Sequence, residues 1–256
     1  MIIIFDVDGV LIDVSYSYHY SIKDTVEYFT KKNTNKDELL RIKFTFNINN
    51  DWDVSIAGIL FVESKMSLER FMEEFNFYST SLEKMYEFAK EKQLALPEYE
   101  HLINVFENFY HKHREKEEMI FPHDVLERMR KKSDILGVIT GRPFEDLDYS
   151  FKKFNLYKYF DYIITEDDIP KPVLRKPSSF PLKLFFEKVE FDSPVFYIGD
   201  TRADLKMVEN YNAETGKNVR FILYRNNHNT DLNVENSISA PDEICEILNS
   251  YDYSEG

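Results

Sequence analysis

A single cysteine, Cys245, leaves no partner for an internal disulfide and no thiolate set for a metal. Glycine is scarce as well, seven in 256 residues, below the usual ~7%. Long apolar runs are missing: the run at residues 1–5 is far short of the ~20 residues that cross a bilayer. Asp6 and Asp8 follow it at once and no basic stretch precedes it, which is unlike a secretory leader. No Lys/Arg-rich run exceeds two or three residues, and 32 basic side chains face 46 acidic ones for a net charge of −14. That balance lacks the electrostatic footprint of nucleic-acid binding. It also repels anionic substrates at long range, so any phosphate site would need local cations or a metal. These absences predict a soluble, cytoplasmic protein that binds neither membrane nor nucleic acid.

What is present reads as ordinary folded protein. Hydrophobic residues make up 43% and charged ones 30%, which suits one large domain or a core with a smaller companion. Short, almost wholly apolar runs at residues 2–5, 135–140, 162–165, 195–198 and 219–224 predict strands buried on both faces. Helical periodicity fills the gaps at 124–132, 144–154, 181–189 and 203–210, with a last helix at 242–248. The fold class predicted is α/β: a doubly wound, Rossmann-like parallel sheet, whose ligand crevice lies beyond the carboxyl ends of the strands. Between the first two strands, over a hundred residues carry helical pattern only, too long for a crossover. They predict an all-helical domain inserted at 14–118, with the α/β core at 1–13 and 119–256.

Four segments at strand ends carry chemistry. In Asp6-Val7-Asp8-Gly9, residues two apart on an extended segment point the same way, ~7 Å apart, and Gly9 permits a sharp exit. Thr140-Gly141-Arg142-Pro143 offers a hydroxyl and an amide to phosphate oxygens, although Thr and Pro also serve as an ordinary helix entry. Two lysines precede prolines, Lys171 and Lys176, and either could hold a phosphate against a carboxylate. Gly199-Asp200-Thr201-Arg202-Ala203-Asp204 places two acids on one side of a starting helix, for a metal or merely for capping.

As an ordered set, these segments resemble the haloacid dehalogenase superfamily of phosphohydrolases from end to end. Residues 6–13 are similar to its first motif, Thr140 to its second, Lys176 to its third and residues 199–204 to its fourth. Lys176 is preferred to Lys171 because residues 176–182 resemble the superfamily's Lys-Pro-x-x-x-Pro-Leu helix entry. The insert resembles its helical cap. Residues 13–18 and 49–53 resemble a subfamily described as histidinol-phosphatase-like or imidazoleglycerol-phosphate-dehydratase-related.

The resemblance implies a phosphatase acting on a small phosphorylated metabolite through an aspartyl-phosphate. It makes Asp6 the nucleophile and Asp8 the general acid and base. It gives Mg2+ to Asp6, the Asp8 carbonyl and Asp200, with Asp204 in the metal set as ligand or as orienter of the shell. Thr140, the Gly141 amide and Lys176 would hold the phosphoryl oxygens. Specificity is expected from the cap cluster Asn50, Asp51 and Trp52, and from Arg142. Asn50 and Asp51 are equally good capping residues, and Trp52 an equally good core residue. The histidines, His111 and His113 included, read as surface residues. Asp8 argues against halide removal, which needs no proton donor, and the hundred-residue insert argues against a receiver-type regulatory module. A phosphomutase and a non-catalytic phosphate-binding protein remain open, as do monomer and homodimer.

Overall fold

The computed structural model describes residues 1–189 and 193–252. The chain divides into two compact units, one of residues 1–13 and 118–256 and one of residues 14–117. The chain opens with β1 (Ile2–Phe5) and a two-residue β2 (Ile12–Asp13). The helices α1 (Tyr18–Thr30), α2 (Lys36–Phe46), α3 (Asp51–Ser64), α4 (Leu68–Phe75), α5 (Leu82–Glu91) and α6 (Tyr99–His113) follow. The chain returns through β3 (Glu118–Met119), α7 (His123–Lys132), β4 (Ile135–Ile139), α8 (Phe144–Lys153) and β5 (Tyr162–Ile164). It ends with α9 (Phe180–Glu187), β6 (Val195–Gly199), α10 (Arg202–Thr215), β7 (Val219–Tyr224), β8 (Asn236–Ile238) and α11 (Ile244–Asp252).

The α/β unit is built on a sheet of order β5-β4-β1-β6-β7-β8 whose neighbours all run parallel. β1 lies inside the sheet and is buried along its whole length, which is why its sequence is unbroken Ile-Ile-Ile-Phe. On one face, Leu182 and Phe185 of α9 and Met207, Val208 and Tyr211 of α10 pack with Ile2, Ile4, Tyr197 and Leu223. On the other, the Phe5 ring meets Phe121 at 5.4 Å and Phe160 at 5.8 Å, both edge-on. The order reverses beside β1, where β4 lies on one side and β6 on the other. The crevice expected of such a reversal opens at the carboxyl ends of these three strands.

Three strands had no counterpart in the sequence reading. β2 and β3 are two residues each, too short for alternation to show. They pair antiparallel, Asp13 opposite Glu118, where the chain leaves and re-enters the α/β unit. Glu118 therefore belongs to that unit and not to the insert, correcting the expected boundary by one residue. β8 is an edge strand of polar Asn-Ser followed by Ile, a composition that reads as a loop.

The insert folds around α3. Val54, Ile56, Ala57, Ile59 and Leu60 are all buried, the pattern of a helix with neighbours on most sides. Gly58 permits the close fit, since a Cβ there would stand 2.7 Å from Val26 and 2.9 Å from Leu39. Asn35, Asn50, Ser67 and Ser81 cap the starts of α2, α3, α4 and α5 with their side chains. His113 is not a simple surface residue: it is largely buried, and its Nε2 lies 2.7 Å from the Asp24 carboxylate. Among the described residues, no helix is long and apolar enough to cross a membrane.

Candidate active site

The first acid continues its strand. The Asp6 amide donates to the Ile198 carbonyl at 2.8 Å, carrying the β1–β6 pairing one residue past the end of β1. The chain then curls tightly. The Val7 carbonyl accepts from the amides of Val10, Leu11 and Ile12, and Gly9 takes the left-handed φ of +74° that this curl requires. A Cβ at residue 9 would collide with the Asp200 carboxylate. Gly9 is thus needed twice, for the turn and for the approach of Asp200 to the Asp6–Asp8 loop.

Lys176 joins the first and fourth segments. Its ammonium donates to Asp6 Oδ1 and to Asp204 Oδ1, each at 2.7 Å, and it is 8% exposed. Lys171 is exposed on the surface. Burial works against the Lys176 charge, but the carboxylates of Asp204 and Asp6 outweigh it and hold the proton more tightly than usual. For Asp6 the balance goes the other way. Burial pushes its carboxyl up to about 7, against the pull of Lys176 and with the nearby charges of Asp204 and Asp8 adding to the rise.

Asp204 is fully buried, and both its oxygens are engaged. Oδ1 also accepts from the Tyr197 hydroxyl at 3.0 Å, and Oδ2 accepts from the Thr201 hydroxyl at 2.5 Å and the Thr201 amide at 3.2 Å. Thr201 and Asp204 together form the capping box of α10. The acid expected in the metal set is therefore committed to Lys176 and to the helix start. Asp200, at the end of β6, is held from outside: Asn226 Nδ2 donates to its Oδ2 at 2.9 Å and Asn229 Nδ2 to its carbonyl at 2.8 Å.

Carboxylate oxygens of Asp6, Asp200 and Asp204 lie within 4.8 Å of one another. Hard oxygen donors at this spacing, beside a glycine that clears the way for Asp200, fit a small divalent cation. All three belong to this acidic group, and Asp204 is the one with both oxygens engaged by protein donors.

Thr140 directly follows β4, buried, and its Oγ1 accepts from the Arg142 amide at 3.1 Å. Gly141 beside it is exposed. Arg142 departs from expectation. It is 1% exposed and buried beneath the turn, donating from Nε to Asp8 Oδ1 at 2.6 Å and from NH1 to Ser150 Oγ at 2.8 Å. A guanidinium without solvent access is not placed to select a leaving group, so the specificity reading of Arg142 is corrected.

A family profile described as haloacid dehalogenase-like hydrolase matches residues 3–216. The chain belongs to this family. Among curated proteins, this haloacid dehalogenase-like chain is 26% identical over 209 residues to an imidazoleglycerol-phosphate dehydratase of Phytophthora nicotianae, covering 79% of the chain and 40% of that protein. It is 23% identical over 119 residues to the pyrophosphatase PpaX of Bacillus mycoides, covering 45% of the chain and 54% of that protein. The match thus spans about half or less of each of these relatives. Among solved structures, phosphatase Tt82 from Thermococcus thioreducens superposes with a TM-score of 0.66 at 25% identity, over 96% of this chain and 99% of that one.

Three residues of this haloacid dehalogenase-like site lay outside the sequence reading. Tyr197 sits in a buried strand and reads as core, and only its hydroxyl contact with Asp204 shows otherwise. Burial, with Asp204 and Asp6 nearby, raises its phenol well above the ordinary value, so it stays a hydrogen-bond donor. Asn226 and Asn229 lie in a polar Asn-Asn-His-Asn loop that looks like turn chemistry. Within the insert, the expected specificity cluster is used locally. Asn50 Oδ1 accepts from the amides of Trp52 and Asp53, Asp51 pairs with Lys43 at 2.5 Å, and Trp52 Nε1 donates to Glu107 at 2.9 Å. These contacts give all three a role in the framework of the insert.

Proposed function

We propose that this chain is a magnesium-dependent phosphatase that hydrolyses a small phosphomonoester through an aspartyl-phosphate on Asp6. The observation that carries the reading is Lys176, a buried cation bridging Asp6 and Asp204 at the mouth of a parallel sheet. Asp6 Oδ attacks phosphorus while the bond to the leaving oxygen breaks, and Asp8 gives that oxygen its proton. Water then attacks the same phosphorus and loses a proton to Asp8. The acyl-phosphate bond opens and inorganic phosphate leaves. Thr140, the Gly141 amide and Lys176 stabilise the phosphoryl oxygens as charge shifts onto them. Asp6, the Asp8 carbonyl and Asp200 would hold the magnesium ion, which when bound draws charge from those oxygens. Asp204 keeps Lys176 aimed.

The test is a screen of phosphorylated metabolites with magnesium, repeated in EDTA. Turnover is expected with the metal and none without it; full activity in EDTA overturns the metal part. Asn226→Ala should raise the magnesium concentration needed for half-maximal activity by about 10-fold or more, the cost of losing one orienting hydrogen bond to a metal ligand. An unchanged magnesium titration would remove Asn226 from this role.

Proton linkage gives a second check. Asp6 must be ionised to bind a cation, and without one its carboxyl is pushed up to about 7. Magnesium binding is therefore expected to tighten as pH rises toward about 7 and to level off above it. At pH 6 it should release a proton. Calorimetry in two buffers of different ionisation enthalpy measures that release directly. Identical heats in both buffers at pH 6 would mean that no proton leaves Asp6 when the ion binds, and would overturn this linkage.

A further inference from the structure

Asp8 does the proton transfer, and its side chain is 34% exposed. A carboxyl at the rim of a site rotates freely unless something holds it, and a proton donor misaimed by one ångström loses much of its advantage. Arg142 holds it, with its Nε 2.6 Å from Asp8 Oδ1. Its backbone is pinned on both sides, the amide donating to Thr140 Oγ1 and the carbonyl accepting from the Glu166 amide at 2.9 Å. Its side chain is the largest among the fully buried ones. One edge of the guanidinium reaches Asp8, while NH1 reaches Ser150, a fully buried residue of α8 whose own hydroxyl turns to the Asp146 carbonyl at 3.2 Å. The planar fork makes both contacts at once in a fixed geometry, with Asp8 on its Nε and Ser150 on NH1.

We infer that Arg142 is a positioning residue: with Ser150 as its anchor on α8, it fixes the Asp8 carboxyl toward the leaving oxygen. This rests on the phosphatase reading above and deepens it. Burying a guanidinium is costly, and the contact to Asp8 puts that buried charge against the carboxyl that transfers the proton. Its consequence is specific to the leaving group. An alkoxide must be protonated as it departs, whereas p-nitrophenolate is stable enough to leave with little help. The specificity constant kcat/KM reports only the steps through the first bond cleavage, so it isolates this role from the later hydrolysis of the phosphoenzyme.

The experiment compares kcat/KM for β-glycerol phosphate and for p-nitrophenyl phosphate with saturating magnesium. Arg142→Gln should lower the β-glycerol phosphate value ~100-fold, the lower end of general acid–base contributions, and the p-nitrophenyl phosphate value at least tenfold less. Ser150→Ala removes only the anchor and leaves the charge in place. It should show the same inequality at about 3–10-fold, with a melting temperature close to the parent. It therefore decides the question even if Arg142→Gln fails to fold. Equal losses on both probes in Ser150→Ala, or no loss on either, overturn the positioning role while leaving the phosphatase reading intact. Parent protein inactive on both probes overturns both readings.

Discussion

Asp6→Asn is expected to lose at least about 10⁴-fold in kcat on any phosphomonoester while remaining folded, because the amide keeps the size of the side chain but cannot attack phosphorus. The stability of this variant carries a second, independent expectation. In the absence of metal, burial pushes the Asp6 carboxyl from an ordinary 3.8 up to about 7. The native state then binds a proton that the unfolded state has already released. Between about pH 4 and pH 7 the native form consequently loses stability as pH rises, and above about 7 the full cost of an ionised, buried Asp6 is present. Asparagine has no such cost. Metal-free Asp6→Asn should melt near the parent at pH 5 and above it at pH 8, and saturating magnesium should stabilise the parent far more than the variant. Thermal melts at the two pH values, with and without EDTA, measure this. An active variant would remove Asp6 as the nucleophile, and one that melts below the parent at pH 8 would contradict the raised Asp6 carboxyl.

The parts of the site legible in the sequence are those where geometry follows from strand and turn chemistry. An all-apolar Ile2–Phe5 with Asp6, Asp8 and Gly9 behind it has few options: the strand is interior, the acids sit at its carboxyl end and the glycine turns the chain. Lys176 over Lys171 was legible only through the flanking Pro-Leu helix entry, since composition says nothing about which lysine is buried. Other features depend on what three-dimensional packing brings together. Arg142 stands two residues beyond Thr140, and nothing in that spacing tells a guanidinium under the turn from one facing outward. The carboxylate of Asp204 is equally consistent with metal binding and with capping, and the structure uses it for capping and for holding Lys176. Tyr197 and the Asn226 and Asn229 amides come from a strand and a loop whose sequence pattern is fully explained by core and turn. In the insert, Asn50, Asp51 and Trp52 look like a polar-aromatic recognition cluster, and the sequence does not show that they also make a helix start, an ion pair and an indole hydrogen bond.

Replacing Lys176 by Met should damage stability and activity together, and the two effects should come apart on a second substitution. Lys176→Met keeps the length of the side chain but deletes the charge that sits 2.7 Å from both Asp6 and Asp204. Asp6 can relieve itself by holding its proton, which burial already favours. Asp204 is fully buried, and after the substitution it keeps the neutral partners Tyr197 and Thr201 with no cation beside it. Breaking a buried pair by removing one partner typically costs about 3–5 kcal/mol, so a clear drop in melting temperature is expected. Losing the cation at the phosphoryl oxygens should also lower kcat by about 10²–10³-fold. In Lys176→Met/Asp204→Asn the stranded charge is gone, while the amide oxygen can accept from Thr201 and the amide nitrogen can donate to the Tyr197 hydroxyl, which has the Ile139 carbonyl as its own acceptor. Most of the lost stability should return, because the penalty came from an uncompensated buried carboxylate and not from the absence of a lysine. Activity should not return, because no cation has been restored to the phosphate. Unfolding curves and steady-state rates on the single and double variants separate these outcomes. If the double variant is no more stable than Lys176→Met, Asp204 is not held in place by Lys176. If the double variant recovers turnover, Lys176 serves the fold alone and the phosphoryl oxygens are stabilised by other groups.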